Sequence, residues 1–102
     1  MIKKIDYTPI FKRGYKRAKK RHLNTKKLEE VIQLIVAEET ELLFQKYKDH
    51  SLKGSHKGLR ELHIEKNWLL VYKVVQQELK LYLLATGNHD EVFRETQKSS
   101  RD

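Results

Sequence analysis

Between Leu59 and Ala85 the sequence carries three strand-like runs, Leu59–Glu65, Trp68–Val75 and Glu78–Ala85, parted only by Lys66-Asn67 and Gln76-Gln77. Links this short allow only tight turns, so the runs pair antiparallel as a β-meander. If Lys66-Asn67 is a two-residue turn, Glu65 opposes Trp68, Ile64 opposes Leu69, His63 opposes Leu70 and Leu62 opposes Val71. Cross-strand partners share a face, so Leu62, Ile64, Leu69 and Val71 form the buried side, while Glu61, His63, Glu65, Trp68 and Tyr72 emerge on the other. A one-residue slip would exchange these sets. The third run alternates Leu79, Leu81, Leu83 and Ala85 against Lys80, Tyr82 and Leu84, and its register stays open.

Such a sheet needs a cover, and the first half of the chain supplies one. Ile2–Tyr7 reads as a first strand that stops at Thr8-Pro9. Thr8 as N-cap and Pro9 at the first helical position then open a helix with an apolar seam of Phe11, Tyr15 and Ala18. Asn24 caps a second helix, with Leu23 stapled onto Leu28, and Leu28, Val31, Ile32, Ile35 and Val36 recur at amphipathic spacing. The two helices predict an antiparallel hairpin over one face of the sheet. Within Glu38–Lys48, Leu42, Leu43 and Phe44 could prolong the helix, form another turn or pin a loop. Ser51–Gly58, with Gly54, Ser55 and Gly58, reads as a loop, and a short helix closes the fold from Asn88 to about Phe93. At 102 residues this is a single α+β domain over residues 1–95, ordered β-α-α-β-β-β with a short C-terminal helix, followed by a polar tail, 96–102, expected to fray.

Charge narrows the partners. Lys and Arg number 22 against 14 Asp and Glu, a net charge of +8 with a pI near 9.7, which on so small a body favours a polyanion such as nucleic acid. Seven cations, Lys12, Arg13, Lys16, Arg17, Lys19, Lys20 and Arg21, crowd the first helix with no acid among them, which makes them candidates for contact with an RNA backbone. That helix lacks the long apolar face that would seat it in a lipid interface. Cysteine is absent, excluding disulfides and thiolate chemistry, and no signal-length or membrane-length apolar stretch is present; a cytoplasmic protein is expected.

Three of the five histidines, His50, His63 and His89, fall on different elements, as convergent residues of a site would. Imidazole titrates near neutrality, so it can act as acid or base, and cleavage of RNA without a metal requires both roles plus cations at the phosphate. Lys48, Lys53, Arg60 and Lys73 could supply the charge, and Trp68, Tyr72 or Phe93 could stack on a splayed base. Taken alone, scattered histidines are more often polar surface or satisfied core. No H-E-x-x-H or cysteine–histidine pattern suggests a metal, no glycine-rich phosphate loop is present, and no cofactor is expected.

The run from Tyr47-Lys48-Asp49-His50 through Gly54, Gly58, Leu59-Arg60, His63 and Asn67-Trp68 to Tyr72-Lys73, with Thr86-Gly87-Asn88-His89 and Phe93, closely resembles the YafQ branch of the RelE/ParE superfamily of bacterial toxins. Lys20-Arg21-His22 resembles it too, and the likeness extends to about Phe93. It implies a RelE-like fold of two N-terminal helices on a curved, mainly antiparallel sheet. It also implies a ribosome-dependent endoribonuclease that cuts translated mRNA in the ribosomal A site, the toxin of a type II toxin–antitoxin pair. The partners implied are ribosome and mRNA, a cognate DinJ-like antitoxin and, through the antitoxin, promoter DNA.

Carried over by position, His50, His63, Trp68, His89 and Phe93 match the family's active-site residues, while Asn67 stands where the branch usually has aspartate and cannot accept a proton as a carboxylate does. On this resemblance His50 is the expected general base and His89 the general acid, with the histidine roles exchangeable. His63 and Asn67 would orient groups or stabilise the transition state, Trp68 and Phe93 would stack on bases or shape the site, and Arg60, Lys73 and Lys53 would contact substrate. Two other readings share these residues: a non-catalytic basic nucleic-acid-binding module, and a ParE-like toxin with a different target.

Overall fold

The structure, a computed structural model, describes the backbone of residues 1–100 and the side chains of residues 1–95. The elements are β1 (Lys4–Tyr7), α1 (Pro9–Lys20), α2 (Thr25–Val36), α3 (Thr40–Tyr47), β2 (His50–Ser51), β3 (Arg60–Glu65), β4 (Trp68–Val75), β5 (Lys80–Gly87) and α4 (His89–Ser100). The strands form one open mixed sheet in the order β1-β5-β4-β3-β2. Pairing is antiparallel except between β1 and β5, which run parallel.

The expected caps form. The Thr8 hydroxyl accepts the Phe11 N–H at 3.2 Å with Pro9 at the first turn of α1, and the Asn24 side chain accepts the Lys27 N–H at 3.2 Å at the start of α2. The segment left open by its sequence is α3. Its end is set by Lys48 in the left-handed conformation (φ 57), whose N–H bonds the Phe44 carbonyl at 3.1 Å. β2 adds a two-residue edge strand that the meander did not predict. α4 runs well past Phe93 and takes residues 96–100 of the expected tail into the helix, while 101–102 lie outside the described residues.

The meander's turn is as short as predicted, with Glu65 opposite Trp68, but its register is not the predicted one. A bulge between His63 and Glu65 places His63 opposite Leu69, Leu62 opposite Leu70 and Glu61 opposite Val71. The extra residue exchanges the faces of β4. Trp68, Leu70 and Tyr72 join Leu62, Ile64, Leu81 and Leu83 beneath α1, α2 and α3, while Leu69 and Val71 turn to the opposite face and pack with Ala85 and Val92 under α4. The expectation that Trp68 and Tyr72 emerge beside His63 is therefore corrected: each is 3% exposed. A second bulge between Val71 and Tyr72 explains why the alternation of β5 breaks at Leu84, so that Leu83 and Ala85 serve different cores.

Candidate active site

After the left-handed turn at Lys48, successive side chains go to opposite sides of the sheet. Asp49 goes inward and is 4% exposed. Its Oδ1 accepts from Arg60 Nε at 2.7 Å and lies 2.6 Å from the second guanidinium nitrogen, and its Oδ2 accepts from the Tyr72 hydroxyl. Burial, and then the bond to Asp49, push the Tyr72 phenol far above its ordinary range, so it remains a donor. Arg60 also donates to Ser51 Oγ at 2.7 Å.

His50 points the other way. Its Nδ1 is 2.8 Å from the Lys48 carbonyl oxygen, which can only accept, so Nδ1 carries the proton and Nε2 is the atom free to exchange one. That Nε2 lies 3.5 Å from Oε1 of Glu61, the residue paired with His50 across the β2–β3 ladder. Glu61 in turn belongs to the wall of a cleft of about 260 Å³, completed by Leu52, Lys53, His56, Val71, His89, Val92 and Phe93. Phe93 is half exposed and lies between two imidazoles: the His89 ring is nearly parallel to it (centroids 6.2 Å apart, planes at 8°), and the His56 ring meets it edge-on at 5.9 Å.

The start of α4 is firmly built. Asn88 Oδ1 accepts the Glu91 N–H and Glu91 Oε1 accepts the Asn88 N–H, both at 2.9 Å, a reciprocal capping box. Arg21 grips the same carboxylate at 2.9 and 3.1 Å, Arg17 lies 3.2 Å from it, and Arg17 also donates to Glu95 at 3.0 Å. Chiefly through the Arg21 hydrogen bond, the Glu91 carboxyl is held below the ordinary carboxylate range. His89 and Phe93 are thus carried by a helix that α1 clamps in place.

Of the residues expected in a site, the cleft gathers His89, Phe93 and Lys53, with His50 against its Glu61 wall. His63, half-buried, shares the sheet face of Glu61 two positions along β3. Four residues lie elsewhere. Asn67 sits at the exposed turn, beside a small crevice with Arg17, Arg21 and Asn88. Trp68 is under the helices, donating its indole N–H to Thr86 Oγ1 at 2.9 Å, so it shapes the sheet and cannot stack on a base in the cleft. Arg60 belongs to the opposite face, committed to Asp49. Lys73 caps the ring of Tyr82, its Nζ 5.2 Å from the centroid.

The basic run is also less free than its sequence suggests, since the acids that pair with Arg17 and Arg21 come from seventy or more positions away. Glu61 and His56 were not nominated from the sequence. Alternation on β3 already set Glu61 beside His63, whereas nothing in the loop marked His56. Three larger hollows hold no histidine: an apolar groove of about 460 Å³ along Tyr7, Phe11, Tyr15, Leu28 and Ile32, one of about 650 Å³ around Asp49, Arg60 and Tyr72, and one of about 580 Å³ along Lys16, Arg17, Lys19 and Lys20. Among the described residues, no three His, Cys, Asp or Glu side chains cluster as metal ligands, and no helix is long and apolar enough to cross a membrane.

Comparison with known proteins agrees with this fold. The family model described as bacterial toxin of type II toxin–antitoxin system, YafQ, matches residues 3–94. The mRNA interferase toxin YafQ of Escherichia coli K12 is 37% identical over 89 residues, covering 87% of this chain and 94% of the relative. Among solved structures, YafQ in the E. coli DinJ–YafQ complex superposes with a TM-score of 0.78 at 34% identity, covering 91% of this chain and 99% of that one. A metal-bound toxin from Helicobacter pylori superposes with a TM-score of 0.81 at 35% identity, covering 91% of this chain and all of the other.

Proposed function

The chain belongs to the YafQ family of bacterial toxins of type II toxin–antitoxin systems, and from that premise we propose that it is an endoribonuclease that cuts mRNA in the ribosomal A site by metal-free histidine acid–base chemistry, so inhibiting translation. The observation that carries this reading is the pairing of a tautomer-fixed His50 with Glu61 in the wall of the cleft that also holds His89 and Phe93.

In the proposed reaction His50 Nε2 takes the proton of a ribose 2′-OH, and the Glu61 carboxylate stabilises the imidazolium that results. The 2′-oxygen attacks the adjacent phosphorus, Lys53 offsets the charge that gathers on the phosphoryl oxygens, and His89 protonates the departing 5′-oxygen. The products are a 2′,3′-cyclic phosphate and a 5′-hydroxyl. Phe93, half exposed between two imidazoles, offers a stacking platform for a base. His63, on the same face, is suited to the transition-state charge. Asn67 takes no proton in this scheme, and Lys73 is a contact for more distant phosphates. Lys12, Arg13, Lys16, Lys19 and Lys20 are the cations of α1 proposed to meet ribosomal RNA.

A cognate antitoxin is the proposed inhibitor, supported by the solved complex of E. coli YafQ with DinJ, with promoter DNA reached through the antitoxin and the cytoplasm as the site of action. The test is cleavage of mRNA on programmed ribosomes in magnesium buffer, by protein stripped of transition metals with EDTA and then desalted. Wild-type protein is expected to cut, leaving cyclic-phosphate ends, while His50→Ala and His89→Ala each lose about 10²- to 10⁴-fold in rate. Full cleavage by both variants would sink the assignment, and loss of wild-type cleavage by the stripped protein that an added transition metal restores would overturn its metal independence.

A further inference from the structure

We propose that Asp49, Arg60 and Tyr72 form a positioning device for His50, gripping the residue on each side of it so that its ring is held against Glu61. The inference rests on the reading that His50 transfers a proton during cleavage. β2 is only two residues long and lies at the sheet edge, and a ladder that short does not fix a side chain by itself. What fixes it comes from the opposite face. The Arg60 fork holds Asp49 through Nε and a terminal nitrogen at 2.7 and 2.6 Å, and reaches Ser51 Oγ through the other at 2.7 Å. His50 is the residue between them, and Ser51 is also the ladder partner of Arg60.

Asp49 is 4% exposed and would be costly to bury without the three donors that converge on it, two from Arg60 and one from Tyr72. An ion pair whose carboxylate is buried while its Arg60 side chain stays 43% exposed adds little net stability, so its strongest effect is on where the chain is held. The consequence is local: with residues 49 and 51 fixed and Lys48 in its left-handed turn, the Lys48 carbonyl stands where His50 Nδ1 donates to it, and Nε2 is left facing Glu61. Arg60, which resembles a phosphate contact in sequence, thus acts from behind the site.

The experiment uses Arg60→Lys, Tyr72→Phe and, at an exposed position that leaves the core untouched, Ser51→Ala. A lysine keeps the charge but cannot span Asp49 and Ser51 together. For Arg60→Lys and Tyr72→Phe the single-turnover cleavage rate at saturating ribosomes should fall about ten- to a hundredfold, with the half-saturating concentration changed by less than about twofold. Ser51→Ala should show the same split with a smaller fall. Long-range ¹H–¹⁵N spectra should show His50 as the Nδ1–H tautomer in the wild type and as a tautomer mixture in the variants.

A raised half-saturating concentration with an intact saturated rate would make Arg60 a phosphate contact and overturn the proposal. So would an unchanged His50 tautomer in every folded variant, a result that can be read even if the wild type proves not to cut RNA. Absence of wild-type cleavage alone overturns the proposed function and leaves the spectra to decide the positioning.

Discussion

Glu91 joins the start of α4 to the end of α1 with one carboxylate: it caps α4, binds Arg21 and meets Arg17. Because its folded pKa is depressed below 4.5, its contribution to stability is full above the ordinary carboxylate range and is lost as pH falls through the folded value. Glu91→Gln should therefore unfold more easily than wild type at neutral pH, by about 1 kcal/mol, since glutamine keeps the cap but loses the charge. The gap should close as the pH is lowered below about 4.5, which paired thermal melts across pH will measure. At this scale the sequence offered residue types and withheld their partners. Three histidines could be nominated because imidazole chemistry is rare and recognisable, but Arg17, Arg21 and Arg60 looked like free cations because the acids that engage them are remote in sequence or, for Asp49, hidden in the core.

The elements were more legible than the way they meet. Thr8-Pro9, Asn24 and the spacing of Leu28 to Val36 announce α1 and α2 because caps and helical periodicity are local properties. The β3–β4 turn was legible for the same reason. The register was not, because a single bulge near Ile64 is decided by which face the bulky Trp68 and Tyr72 can fill, and that depends on helices far away in sequence. Gly14, inconspicuous in the basic helix, shows how closely those helices approach: a Cβ there would run into the Thr86 carbonyl oxygen. Alanine would gain about 1 kcal/mol in helix propensity but force α1 off β5 at a cost of about 1–3 kcal/mol, so the clash wins. Gly14→Ala is expected to lower the urea midpoint of unfolding, and an unchanged or higher midpoint would contradict this packing.

Across the whole molecule, the net charge of +8 is divided into cations that hold the fold and cations that face outward. Replacing Lys16 and Lys20 with glutamine should weaken ribosome binding, reduce the slope of log affinity against log salt by about 1 to 2, and leave the melting temperature unchanged. Replacing Arg17 and Arg21 should instead lower the melting temperature by freeing α4. Salt-titrated binding and melting curves on the two double variants separate these roles. The likeness to known toxins carried the fold and family; the division of labour among the cations came only with the tertiary contacts.

The parallel pairing of β1 with β5 has a consequence in time. An N-proximal strand cannot find its place until a partner more than seventy residues downstream has been made, and α1, packed on that same strand, must wait with it. The cleft is later still, because its wall includes His89 and Phe93, which follow β5. During its own synthesis the chain therefore emerges in an order that builds the scaffold before the cleft, and the ribosome translating this message has moved past the codon for Phe93 before the product can assemble the site proposed to attack it.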